Sequence, residues 1–458
     1  MIRYRSTRGE APDLDFGDAL LAGLASDGGL YCPIDVPKLA EIDPASTYAD
    51  TAVAVIEPYV EGTYDRDELT SMVEAAYRGF RHPDVCPVYG LGGNQYLLDL
   101  SQGPTLAFKD MALQLVGRML DVELSRRGEQ VTVIGATSGD TGSAAIEALA
   151  NRQNVKVVIL HPLDRVSEVQ RRQMTTVDAP NITNVAVRGT FDDCQDLVKA
   201  SFADADLGAD VKLAAVNSIN WARVMSQIPY YVYAANQVAP AGGPVSFAVP
   251  TGNFGNILAG WYAKRMGLAV DRLIVASNRN DVLTRFFETG GLVLEAVKPS
   301  LSPSMDIQVS SNFERLLWEV GGRDGQAVAE LIAELRANGR VEVPVAWSER
   351  IHAEFEGIRL DDQGTLSEIA EIHRTTERVI DPHTAVGTYA ARVLCGSAST
   401  PVVTLATADP AKFPDAVEQA IGFRPALPPH LAEIMQRPER FDVIDNSNDV
   451  LADLLRAS

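Results

Sequence analysis

Apolar residues recur at helical spacing through the first hundred positions. Phe16, Leu20, Leu21 and Leu24 fall on one stripe before the breaker Asp27-Gly28-Gly29. Leu69, Met72, Val73 and Ala76 form a second stripe behind the acidic start "DRDE" at 65–68. That period predicts amphipathic helices, the second with its carboxylates at the end where the helix dipole favours them. Beyond residue 100 the pattern changes to short continuous apolar runs that feed glycine-rich turns and then helices. "VTVIG" (131–135) runs into "ATSGDTG" and "SAAIEALA", and "VKVVIL" (155–160) follows. "VSFAVP" (245–250) runs into "TGNFGN" and "ILAGWYAKRM", and "PVVTLAT" (401–407) into "ADPAKF". Repeated strand, loop and helix units predict an α/β fold with parallel sheets covered by helices, because parallel strands need crossover connections. The expected division is a mostly helical segment over 1–100, an α/β half over 101–240 and a second α/β half over 241–458. The Gly and Pro cluster "APAGGP" (239–244) marks the boundary between the halves.

Length and composition fit this picture without narrowing it: 458 residues, 46% hydrophobic and 22% charged, describe a globular chain with a large core. The longest apolar runs are strand-length, and no apolar block follows the basic N-terminus. A cytoplasmic protein with no membrane span and no secretory signal is therefore expected. Cys32, Cys86, Cys194 and Cys395 lie far apart without metal or disulfide spacing, which predicts reduced core residues and no metal. Charge changes the picture more. Forty Lys and Arg against 61 Asp and Glu give a net charge of -21, which repels nucleic acid and anionic lipid. Any anionic ligand must find its positive potential locally.

Three stretches carry candidate chemistry. "PTGNFGN" (250–256) ends an apolar strand, brings in two glycines and opens a helix whose free amides face back toward the loop. That geometry fits an anion and equally fits a plain strand-to-helix turn. The spacing is neither GxGxxG nor a P-loop. "ATSGDTGSAA" (136–145) repeats the architecture with Thr137, Ser138, Thr141 and Ser143 as donors. A grip on a carboxylate or phosphate and a well-capped helix start, with Asp140 or Thr141 as the cap, both account for it. The third stretch is "GPTLAFKD" (103–110), where Leu106, Ala107 and Phe108 precede Lys109. Desolvation by these neighbours would lower the lysine pKa toward a nucleophilic amine suited to Schiff-base chemistry. A snorkelling side chain paired with Asp110 is the ordinary alternative. In open α/β sheets ligands bind at the C-terminal ends of the strands, where both glycine loops fall.

These strings are joined by "NSINWARVMSQIPYY" (217–231), "NRNDVLTRFFETG" (278–290), "SPSMDIQVSSNFERLL" (302–317) and "IDPHTAVG" (380–387). With the N-terminal "YRSTRGEAP" and "ALLAGLASDGGLYCP", they resemble threonine synthases of the longer form, in the family's order from residue 4 to about 417. The resemblance implies a fold type II pyridoxal 5′-phosphate enzyme of the tryptophan synthase β-subunit-like fold, with two parallel-sheet halves and a helical N-terminal segment. It implies conversion of O-phospho-L-homoserine and water to L-threonine and phosphate. By the same resemblance Lys109 holds the cofactor and moves protons, and Gly252, Asn253, Phe254, Gly255 and Asn256 hold the cofactor phosphate. Thr407 faces the pyridine nitrogen. Thr137, Ser138, Asp140 and Thr141 grip the substrate carboxylate, with their loop, and Asp140 in it, beside the cofactor. Asn217, Ser218 and Arg223 are the implied candidates for the substrate phosphate, ahead of Arg165 and Lys412, since an arginine fork suits phosphate better than a point charge. The implied partner is a small molecule alone, bound by a monomer or homodimer. Two positions depart from the family pattern: Gln102 stands where a His precedes "GPT", and Asp409 where "TAHPAKF" has His. Neither position can then play a histidine's proton role. Serine or threonine dehydratases and cysteine synthases share the lysine and loops, but "NSINWAR" and "SSNFERLL" argue against them. A noncatalytic cofactor-binding relative is the further alternative, and Lys109 argues against it.

Overall fold

Strand pairing, rather than chain order, divides the molecule. The computed structural model describes residues 1–215, 219–396 and 398–457. One unit comprises Met1–Leu20, Leu24–Phe108 and Ser218–Pro425, and the other Leu21–Gly23, Lys109–Asn217 and Ala426–Ser458. The first is built on a six-stranded sheet in the order Phe355–Arg359, Val270–Ser277, Val245–Pro250, Val402–Ala406, Gln95–Asp99, Val88–Gly92. Its neighbours are parallel except for the final hairpin. Val245–Pro250 and Val402–Ala406 are buried at every position, as continuous apolar runs must be when both faces of a sheet are covered. Helix Pro382–Cys395 supplies Val386 and Ala390 to a core shared with Ala248, Ile274 and Val402.

The second unit holds a five-stranded, all-parallel sheet in the order Asp442–Asp445, Ile182–Arg188, Val155–Pro162, Val131–Ala136, Leu213–Ala215. Ile134, Val158, Leu160, Val185 and Val187 pack against Leu197, Leu451 and Leu455. The α/β class with two parallel sheets is thus as expected.

The division at residues 100 and 240 differs from this arrangement. Residues 88–99 form a hairpin whose second strand pairs with Val402–Ala406, far away in sequence, so they belong to the large sheet. "APAGGP" is an internal turn of one unit, linking helix Ile228–Val238 to strand Val245–Pro250. The last 33 residues return to the second unit, where Asp442–Asp445 adds an edge strand. Local composition carries no signal for such pairings, because the partners are distant in sequence. Within the N-terminal segment the second stripe is buried on helix Arg66–Tyr77 as expected. The first helix stops at Ala22, where Gly23 turns to φ +62, and Leu24 leaves the stripe to lie 43% exposed. All four cysteines are free and buried. Among the described residues no helix is long and apolar enough to cross a membrane.

Candidate active site

Lys109 opens helix Lys109–Arg127, which is buried at every position from 109 to 117. An all-round buried first half carries the lysine in with it, to 8% exposure. Its Nζ donates to Asp140 Oδ2 at 3.0 Å, and Gln170 Nε2 donates to Asp140 Oδ1 at 2.8 Å. The carboxylate is therefore held from both sides. The ion pair that Lys109 makes across the chain is with Asp140, 31 positions away.

Asp140 heads helix Asp140–Leu149, at the end of strand Val131–Ala136, but neither it nor Thr141 is the cap. Gly139 holds the N-cap position at φ +142 with no side-chain cap bond. Thr137 Oγ1 instead accepts from the N–H groups of Gly139 (3.0 Å) and Gly142 (2.9 Å). A Cβ on Gly139 would fall 2.4 Å from the amide carbon of Gln170, so glycine both permits the turn and makes room for the residue that orients Asp140. Thr137 shapes the loop from within, while Ser138 lies exposed and Thr141 half-buried on it.

In the other unit, "TGNFGN" follows strand Val245–Pro250 and opens helix Gly255–Met266. Phe254 is the N-cap residue, at φ +63, and its side chain gives no cap bond. Its ring packs against Phe313 and Phe355, so only its backbone faces the helix end. The assignment of Phe254 to phosphate binding is narrowed to its amide. Ser310 Oγ donates to Gly252 O at 2.5 Å, and Asn312 donates to Asn253 O from both its backbone N and its Nδ2, each at 3.1 Å. Fixing these carbonyls turns the following amides the opposite way, since C=O and N–H of a trans peptide are antiparallel. A Cβ on Gly252 would lie 3.0 Å from Ser304 O, which accounts for glycine there. Asn256 Oδ1 accepts from the hydroxyls of Tyr230 (2.5 Å) and Tyr231 (2.9 Å), while Nδ2 is buried without a partner among the described residues.

Arg223 lies on the short helix Trp221–Met225 of the same unit and is buried. Its Nε and Nη1 meet no acceptor among the described residues, and burial alone pushes its pKa down to about 10. Asn217 and Ser218 lie outside the described residues. Thr407 follows strand Val402–Ala406, buried, with its N–H donating to Thr384 Oγ1 at 3.3 Å and its carbonyl accepting from Phe108 N at 2.9 Å. Lys412, also buried, donates to Thr105 O at 2.8 Å, within the turn that leads to Leu106 at φ +60. That contact makes it a support for the segment before Lys109. Arg165 is exposed on its loop. The two departures from the family pattern each find a partner: Gln102 Nε2 donates to Asp99 Oδ2 at 2.6 Å, and Asp409 accepts from Arg81 at 3.3 Å. Burial nevertheless holds the Asp409 carboxyl above the usual carboxylate range.

Residues 87–336 match the family model of pyridoxal-phosphate dependent enzymes, 3–77 that of the threonine synthase N terminus and 384–454 that of its C-terminal region. Threonine synthase of Pseudomonas aeruginosa is 52% identical over 97% of this chain and 96% of its own length. That of Corynebacterium glutamicum is 43% identical over 95% and 94%. The chain belongs to the threonine synthase family. Among solved structures, the pyridoxal-phosphate-bound threonine synthase of Brucella melitensis matches with a TM-score of 0.97 at 46% identity, over 100% of this chain and 99% of that one. The Escherichia coli threonine synthase matches with 0.84 at 30%, over 99% of each. Membership brings the fold type II architecture and pyridoxal phosphate as cofactor. The residues present fit that group: a buried lysine on a fixed carboxylate, and a helix start without a side-chain cap beside an Asn256 amide that has no partner among the described residues.

Sequence reasoning left out Gln170, Ser310, Asn312 and the tyrosine pair. "QIPYY" and "SSNFER" sat inside the quoted strings, so all of these but Gln170 were in view without a role. Gln170 had no signal, since it reaches Asp140 only through the crossover between two strands.

Proposed function

We propose that the protein converts O-phospho-L-homoserine and water to L-threonine and inorganic phosphate, in the cytoplasm, as a monomer or homodimer. The observation that carries the phosphate ester as substrate is Arg223, a buried guanidinium with two nitrogens that meet no acceptor among the described residues. A buried cation without a counter-charge is costly, and a phosphate bound in fork geometry supplies both charge and acceptors. Dehydratase chemistry on serine has no use for it.

Pyridoxal phosphate, when bound, supplies an electron sink for the carbanions formed at Cα and Cβ. The loop 252–256 would hold its phosphate through turned amides and the helix dipole. Thr407 would face its ring nitrogen. Lys109 Nζ would take the Cα proton, and a Cβ proton would follow as phosphate leaves from Cγ. Protons returned to Cγ and Cα would accompany addition of water at Cβ, with Asp140 keeping the ammonium aligned while it carries a proton. Thr137, Ser138, Asp140 and Thr141 form the loop that grips the substrate carboxylate. Arg223, with Asn217 and Ser218, would hold the phosphate that leaves from Cγ.

Phosphate release from O-phosphohomoserine, with and without borohydride treatment, tests this reading. Release should be abolished by borohydride, with the reduced cofactor mapped to Lys109. Pyruvate formation from serine without phosphate release would sink it.

A further inference from the structure

Arg315 lies on helix Phe313–Val320 and is completely buried, yet its hydrogen bonds among the described residues go to neutral groups. Nε and Nη2 donate to Tyr31 O at 3.1 and 3.0 Å, Nη2 also to Ile219 O, and Nη1 to Asn312 Oδ1. The nearby carboxylates are engaged elsewhere: Glu314 takes Arg8 and the Thr7 hydroxyl, and Glu319 takes Arg323 and the Tyr262 hydroxyl. A buried cation answered only by carbonyl dipoles keeps much of its positive potential. Its three arms end on three separate segments. Asn312 fixes the carbonyl of Asn253, and so aims the amide of Phe254. Ile219 stands two residues before the helix that carries Arg223. Tyr31 begins a strand of the small N-terminal sheet.

We propose that Arg315 is a positioning residue for both anion grips, ordering the 252–256 loop through Asn312 and the 219–223 segment through Ile219. This rests on the assignment of those segments to the cofactor and substrate phosphates. A planar fork is required, because one ammonium cannot reach three directions at once. Asn312 serves only the first arm, so the two residues should separate.

The test uses the full-length enzyme, with pyridoxal phosphate titrated into protein stripped of cofactor and KM for O-phosphohomoserine measured at saturating cofactor. Asn312→Ala should weaken cofactor binding about tenfold and leave KM within a factor of two. Arg315→Met should weaken cofactor binding by at least as much and also raise KM about tenfold, with Arg315→Lys restoring only part of either. If Arg315→Met folds with both constants at the parent value, the proposal is overturned. If it does not fold, Asn312→Ala decides, and an unchanged cofactor affinity overturns the proposal. An inactive parent enzyme would instead count against the function proposed above.

Discussion

Lys109 and Arg223 are both buried cations, one in each unit, and their surroundings treat them differently. Lys109 meets a carboxylate at 3.0 Å that is itself pinned by Gln170. Arg223 presents two buried nitrogens with no acceptor among the described residues. A paired lysine is stable without a ligand, and its proton has a defined place. An unpaired arginine costs the folded protein several kcal/mol until an anion arrives, so an anionic ligand gains what the fold gave up. The first arrangement suits a group that moves protons and the second a group that only binds.

The largest effect should come from Lys109→Ala. Phosphate release should fall by about a thousandfold or more, with far-ultraviolet dichroism unchanged. Turnover at the parent rate would erase the catalytic half of the comparison. Arg223→Met separates the two cations by sign. Its kcat/KM for O-phosphohomoserine should drop about a hundredfold, while the melting temperature without substrate rises by about 2 °C or more, because an unpaired charge is gone. A lower melting temperature would mean that Arg223 is structural. Asp140→Asn should do the reverse, leaving an ammonium without its counter-charge. We expect turnover reduced about tenfold and unfolding free energy lowered by about 2 kcal/mol in urea titration, and an unchanged urea midpoint would show the pair to be unimportant.

A smaller, pH-dependent effect belongs to Asp409, which has a cationic partner but is mostly buried. Its native pKa is raised by burial, so the folded state keeps the proton to higher pH than the unfolded chain does. The slope of stability with pH is then negative from the ordinary carboxylate range up through the native pKa. Asp409→Asn lacks that loss. The difference in melting temperature, variant minus parent, should therefore grow from pH 4 to pH 7, and a constant difference would refute it.

Much of this molecule was legible before any coordinates. Periodicity located the strands that precede the two glycine loops, since runs such as "VSFAVP" are apolar wherever a parallel sheet is covered on both faces. Local chemistry, glycine, helix start and basic side chain, marked Lys109 and the 252–256 loop as candidates with alternatives open, and the resemblance to threonine synthases chose between them and added Arg223. What adjacent residues do not encode is partnership. Lys109 finds Asp140, Gln95 to Asp99 enter a sheet with residues past 400, and Arg315 gathers carbonyls from positions 31 and 219. Those choices follow from which distant surfaces pack together to bury apolar area, and so they decide which buried charges find a partner among the described residues.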